Sequence, residues 1–244
     1  MGNGKSGLKK KKTVNGFELI NNPAEDTEKY TVFDSYSGSQ KWFANPNLSN
    51  SSEWKGLLTP DELHYTKEYT GNAYSGYNTN LYEKDWDTMT EGQKEPLKHI
   101  YNALNKFELK HGITVTRASD FQIFGADYGE KMTVEQIKNV LSGTNGVVQN
   151  NGFLSAGANQ HGAAIEGSGL VVDYKIPPSK GAGAYIDPIS HLSGANENEF
   201  LINNNAVFQF DLNSIHKGTD GKIHATAYWL GQAKKQAFKK KKDK

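Results

Sequence analysis

The chain reads as an α+β protein, with helices gathered in its first half and strands in its second. Two observations carry that reading. Between residues 58 and 110 apolar positions recur at helical spacing, as in Leu97, Ile100, Tyr101, Leu104 and Phe107. From Ile113 onward the period shortens towards two, in β-branched and aromatic runs divided by Gly and Asn. Helices first and strands afterwards argue against an alternating βαβ order.

The first 52 residues are rich in Gly, Lys, Asn and Ser, with apolar patches at 17–20 and 30–33. They read as a basic, loop-rich N-terminal extension carrying a short strand or two. Thr59, Pro60, Asp61 and Glu62 make a helix start: a cap, a proline at the first helical position, then acids near the positive end of the dipole. That helix should run towards Tyr69 and break at Gly71. Further helices are expected over 73–82, over 91–110 with Gly112 as the stop, and over 133–142. Strands are expected in ITVTR (113–117), NGFLSAG, LVVDYKIP, GAYID, EFLI, AVFQFDL and IHATAYWL. Asp220-Gly221 is a tight-turn signal ahead of the last of these. A single body over 53–232 and a basic tail over 233–244 follow.

Composition narrows the function classes. A hydrophobic content of 36% and an aromatic content of 11% supply a core and argue against wholesale disorder. The net charge is only +1 although lysines crowd 9–12 and 239–244, so no nucleic-acid partner is expected and the lysine runs read as solvated tails. The chain has no cysteine, which removes disulfides, thiolate zinc sites and cysteine nucleophiles together. Its seven histidines lack HExxH spacing, and no metal is expected. GNGKS at the start lacks the first glycine and the preceding strand of a phosphate-binding loop. No apolar run reaches transmembrane length and the N-terminus lacks a signal-peptide core. The protein then stays where it is made, leaves by another route, or continues upstream of residue 1.

Chemistry concentrates in 185–210. Glu197 and Glu199 stand one residue apart ahead of EFLI, after a Ser/Gly/Asn-rich loop over 190–196. In extended backbone two such carboxylates project from one face. Earlier, Arg117 ends ITVTR and Ser155 stands in NGFLSAG. A guanidinium can hold phosphate bidentately, a hydroxyl can orient a carboxylate, and a carboxylate can stabilise a sugar cation. Singly, each residue reads as a surface charge, a turn residue or a solvated strand end.

In this order, a strand arginine, a serine-bearing strand and Glu-x-Glu, the chain resembles the bacterial and phage mono-ADP-ribosyltransferase exotoxins. The resemblance is greatest to the enzymatic components of clostridial binary toxins such as iota toxin. It extends to LTPDELHYTKEYTGNAYSGYNTNLY, with Tyr69, Tyr74 and Asn78, and to YKIPPSKGAGAYI, so that it covers 57–212. The departures are Ser155-Ala156-Gly157 in place of Ser-Thr-Ser, Thr116 where an aromatic is common, and Ala118 in place of a glycine. The loop before the acidic pair is also longer, with His191 nearest to its usual aromatic.

The resemblance implies an α+β ADP-ribosyltransferase fold, two antiparallel sheets packed at a steep angle around an NAD cleft. It implies NAD as substrate, no metal, and transfer of ADP-ribose to an arginine of a target protein, with actin as the target of the nearest relatives. Glu199, Glu197 and Ser155 would be catalytic; Arg117, Tyr69, Tyr74, Asn78 and Ala118 would bind NAD. The protein would be a secreted or delivered toxin or virulence effector, served by a delivery or translocation partner. An NAD glycohydrolase without a protein target and a non-enzymatic NAD-binding module are the alternatives.

Overall fold

A computed structural model describes residues 13–20, 30–159, 168–191 and 198–234. The acidic loop expected over 190–196, Glu197, and the terminal lysine runs fall largely or wholly outside them. The N-terminal elements are β1 (Thr13–Val14), β2 (Phe17–Glu18), β3 (Tyr30–Thr31), α1 (Tyr36–Ala44) and α2 (Ser51–Leu57). Next come α3 (Pro60–Glu68), a π-helical turn (Tyr69–Ala73), α4 (Tyr74–Glu83) and α5 (Glu91–Asn105). The chain continues through β4 (Glu108–Leu109), β5 (Gly112–Ser119), α6 (Val134–Ser142), β6 (Val147–Asn150) and β7 (Leu154–Gly157). It closes with β8 (Leu170–Ile176), β9 (Ser179–Lys180), β10 (Gly183–Tyr185), β11 (Glu199–Ile202), β12 (Ala206–Phe210), β13 (His216–Lys217) and β14 (Ile223–Gln232).

Local chemistry starts the helices where the sequence suggests. Thr59 caps α3 and Glu62 returns to the Thr59 N–H, closing a capping box with Pro60 at the first helical position. Thr90 and Gln93 do the same for α5, as do Thr133 and Gln136 for α6. Gly71 leaves helical geometry (φ −99°, ψ −131°) inside the π-helical turn, so the expected break falls there.

The helix expected over 91–110 ends at Asn105 instead. Tertiary bonds take over the backbone beyond it. Asn50 accepts from the Glu108 N–H at 2.9 Å and donates to the Lys106 carbonyl at 2.9 Å, and Gly181 donates to Phe107 O at 3.0 Å. Phe107 is thereby turned fully into the core, and β4 pairs with β9.

The loop-rich extension expected up to residue 52 is corrected over 30–52. There, β3 pairs in parallel with β5, and Phe33 bridges to Asn159. Phe43 is 1% exposed and stacks on Tyr185 with ring centroids 4.1 Å apart and planes at 4°. Ser49 bridges to Leu109. The polar composition of this stretch hides the few large side chains, Phe33, Trp42 and Phe43, that bind it to the body.

Among the described residues, one ten-stranded ladder runs β10-β11-β7-β5-β8-β14-β12-β6, with β13 on β14 and β3 on β5. It is thinnest between β5 and β7, where a single residue pair, Thr116 with Gly157, joins the three strands β10-β11-β7 to the larger part. The two expected sheets are thus two parts of one ladder meeting at a seam. The expectation of purely antiparallel pairing is corrected at β14–β8 and β3–β5, which are parallel. β11 and β12 do not pair with one another. The Asn203–Asn205 turn carries the chain from one part to the other, with Asn203 held by Ala182 O at 2.9 Å and Gly181 O at 3.1 Å. One apolar core spans both parts and the helices packed on them. No helix of the described residues is long and apolar enough to cross a membrane.

Glu62 ties α3 to the end of α5 through a 2.6 Å bond from Lys106, while its own side chain is only 6% exposed. Burial pushes its carboxyl up, but the Lys106 ammonium and the Thr59 N–H outweigh burial and hold it below the ordinary carboxylate value. A depressed carboxyl stabilises the fold above its unfolded value and loses that contribution as pH falls through the folded one. Glu62→Gln should therefore cost about 1–2 kcal/mol at pH 7, discounted for the solvent contact of Lys106. The gap in melting temperature between variant and parent should close as the pH is lowered below about 4.

Candidate active site

Gly157 is the corner of the site. It pairs with Thr116 across β5 and with Glu199 across β11, so three strands meet at one residue without a side chain. Glu199 opens β11, is 7% exposed, and its carbonyl accepts the Ile186 N–H at 3.0 Å. Opposed residues share a face, so Glu199, Leu201, Ser155 and Gly157 lie on one side, with Ser155 diagonal to Glu199.

Arg117 reaches over the seam. Its guanidinium Nη1 donates to Ser155 O at 2.5 Å, while its Nε is buried without a hydrogen-bond partner. It is also the chain's only arginine. Two buried tyrosines, Tyr69 and Tyr174, and the half-exposed Tyr82 surround the charge. The Tyr69 hydroxyl is pushed far up by burial and further by the Glu199 carboxylate, against the opposing pull of Arg117. Burial likewise raises Tyr82 and Tyr174, and Arg117 again opposes it. All three hydroxyls therefore stay protonated, and Tyr69 senses the carboxylate and the guanidinium together.

Helix α4 is stapled to this corner by Asn78. Its Nδ2 donates to Phe153 O and to the Tyr69 hydroxyl, both at 3.1 Å, and its Oδ1 accepts the Phe153 N–H at 2.9 Å. Tyr82 donates to Asn150 Oδ1 at 2.9 Å beside Gly152, where an added Cβ would stand 2.6 Å from the Tyr82 ring. A larger residue there would push the Tyr82 ring aside. Tyr74 is 54% exposed and sets its ring edge-on to Tyr69 at 6.4 Å.

The structure thus brings together Tyr69, Asn78, Arg117, Ser155 and Glu199, with Tyr74 at their outer edge. Ala118 is not among them. It alternates to the opposite face of β5 from Arg117 and is 3% exposed there, because successive residues of a strand point to opposite sides. Thr116 shares that opposite face and donates to Asp173 at 2.6 Å. Glu197 lies outside the described residues. Asn198, between the two glutamates, has φ +52°, so the residue joining them is not extended and the strand-alternation premise does not apply. His191 docks on the π-helical turn, its N–H on Thr70 Oγ1 at 2.9 Å and its Nε2 3.2 Å from Glu68.

Sequence reasoning missed Asp187, 3% exposed, and Asn198, fully buried. Asp187 sits in the GAYID run that was read only as a strand, and a buried carboxylate leaves no mark on sequence periodicity. Among the described residues, no group of three His, Asp or Glu could hold a metal ion.

The chain belongs to the ADP-ribosyltransferase exoenzyme family, whose model matches residues 44–230. Its fold is that of the bacterial ADP-ribosylating toxins. It is similar to Plx2a, an ADP-ribosyltransferase toxin from Paenibacillus larvae, with a TM-score of 0.66 and 24% identity over 82% of this chain and 99% of that one. The C3 exoenzyme of Clostridium limosum gives a TM-score of 0.65 at 17% identity, over 82% of this chain and 97% of that chain. BECa, an ADP-ribosylating toxin of a C. perfringens binary enterotoxin solved with NADH, gives 0.67 at 20% identity, over 83% of this chain and 50% of that one. No curated protein matches the chain in sequence.

Because Asn78 serves the Phe153 backbone on both sides, Asn78→Ala should lower unfolding free energy by about 1–3 kcal/mol in denaturant titration. Hydrogen exchange should show the Phe153 amide losing protection in the same variant.

Proposed function

We propose that the protein is a mono-ADP-ribosyltransferase toxin that moves ADP-ribose from NAD to an arginine of a target protein. The observation that carries the reading is the seam itself, where Glu199 and a partly satisfied Arg117 both act on buried Tyr69. A guanidinium with a buried N–H to spare is suited to the NAD pyrophosphate, which would take the remaining donors bidentately. Tyr69 and Tyr74 would flank the nucleotide. Asn78 would act chiefly by holding Tyr69 and Phe153.

In the reaction the bond between the nicotinamide nitrogen and ribose C1′ breaks, and nicotinamide leaves with the electron pair. A guanidino nitrogen of the acceptor then bonds to C1′ and gives up a proton. The transition state carries positive charge on the ribose, so catalysis rests on positioning and electrostatics. Glu199 would accept a hydrogen bond from the nicotinamide-ribose hydroxyl and stabilise the cation. Ser155 would steady Glu199. Glu197 would pair with the incoming guanidinium and take its proton; in the family that the sequence resembles, a neutral Gln at this position accompanies asparagine acceptors. Actin is the first acceptor to test.

Incubating the protein with biotin-labelled NAD and a cell lysate tests the reading, with nicotinamide release followed in parallel. Glu199→Gln should lose both label transfer and nicotinamide release by about 10²–10³-fold. Glu197→Gln should lose transfer to arginine while retaining NAD hydrolysis. Arginine transfer at the parent rate in that variant would sink the acceptor assignment. Arg117→Lys should raise KM for NAD, since an ammonium cannot reproduce the fork. As Arg117 is the only arginine of the chain, arginine-linked label on any other protein is transfer to a target. Nicotinamide release without a labelled protein would instead favour the glycohydrolase, a reading suggested by the single hydroxyl left in Ser155-Ala156-Gly157.

A further inference from the structure

Asn198 is held as few loop residues are. It is fully buried and left-handed, a conformation that Asn adopts more readily than other residues with a Cβ. Its N–H donates to Asp187 Oδ1 at 3.1 Å and its carbonyl accepts from the Ala158 N–H at 2.8 Å. Its side-chain Oδ1 accepts from the Tyr185 hydroxyl at 2.9 Å and stands 2.8 Å from Ser39 Oγ. Three separate pieces of chain thus close on the residue next to Glu199.

Asp187 is the hub of this cluster. It is a buried carboxylate with no ion pair among the described residues, and its charge is met by neutral donors. The Tyr36 hydroxyl bonds its Oδ2 at 2.8 Å and the Tyr185 hydroxyl lies 3.5 Å from the same oxygen. Burial first, then the Asp187 charge, raises both tyrosines, so both hydroxyls remain donors. An unpaired buried acid is an expensive way to join two loops if packing alone is the aim. What it specifies is one conformation of the turn that enters β11.

Two of the groups in the cluster, Tyr36 and Ser39, project from one face of α1, three residues apart. Both lie ahead of residue 44, where the match to the family model begins. An element outside the matched span therefore reaches the turn beside the catalytic pair.

We infer that Tyr36, Ser39 and Asp187 are positioning residues for Glu199, and that α1 is a working brace of the active site. The brace acts through Asn198: fixing that turn fixes where the Glu199 carboxylate meets the ribose. The inference rests on Glu199 being the catalytic carboxylate, as proposed above.

The test uses the full chain and steady-state nicotinamide release, with Glu199→Gln as reference. Tyr36→Phe removes one hydroxyl remote from the nucleotide. It should lower kcat about tenfold while leaving KM for NAD within about twofold, because the phosphate grip on Arg117 is untouched. Its melting temperature should stay within a few degrees of the parent's. Asn198→Gly relieves the left-handed backbone but removes the side-chain ties, and it should show the same loss of kcat at unchanged KM. Parent-level kcat in Tyr36→Phe and Asn198→Gly, with Glu199→Gln inactive, overturns the brace and leaves the catalytic reading standing. Turnover retained in Glu199→Gln overturns both. A fall in kcat matched by a collapse in melting temperature, or by a parallel rise in KM, would make α1 merely structural and overturns the brace as well.

Discussion

The rest of the architecture depends on one residue pair. Where β5 meets β7, the ladder narrows to Thr116 and Gly157, and Gly157 turns at once to pair with Glu199. A sheet bonded along many residues would continue flat or gently twisted through this point. Joined by one pair, the two parts can diverge at this line. Arg117 crosses that line to the Ser155 carbonyl, and Glu199 stands on its other side. Arg117 and Glu199 flank the line where the ladder is narrowest. Gly157, which departs from the Ser-Thr-Ser pattern, is the corner of this geometry.

Around the seam, burial and charge work together. Burial raises the Tyr69 and Tyr174 hydroxyls above their ordinary value, and the single guanidinium is left among neutral hydroxyls. A cation in such surroundings holds a strong local field, suited to a polyanionic ligand. The helices contribute by staples: Asn78 binds α4 to Phe153, and His191 docks the start of the acidic loop on the turn between α3 and α4. The wall that carries the tyrosines is thus bonded directly to the strands that carry the charges.

Much of the site was legible in the sequence because its residues carry chemistry that composition leaves conspicuous. Arg117 and Ser155 were found as a strand-end arginine and a serine in an apolar run, and β5 and β7 bring them into contact. The Ala118 side chain lies apart from the others for a local reason: it follows Arg117 in the chain, and in a strand the next side chain faces away. The same-face argument for Glu197 and Glu199 loses its premise at one dihedral, that of the left-handed Asn198. Asp187 and Tyr36 were invisible because their roles arise from partners 151 residues apart.

By itself the sequence determined the helix starts, the helix-to-strand order and the residue types gathered at the candidate site. Caps, apolar period and side-chain chemistry are local, and local interactions survive without knowledge of the fold. Only the tertiary structure decided that α5 stops at Asn105, that residues 30–52 belong to the body, and that β11 and β12 diverge after a shared turn. It alone closed Asp187, Asn198, Tyr36 and Ser39 into one cluster beside Glu199. Those outcomes rest on hydrogen bonds and burial between distant segments, whose energies exist only once the chain has brought them together.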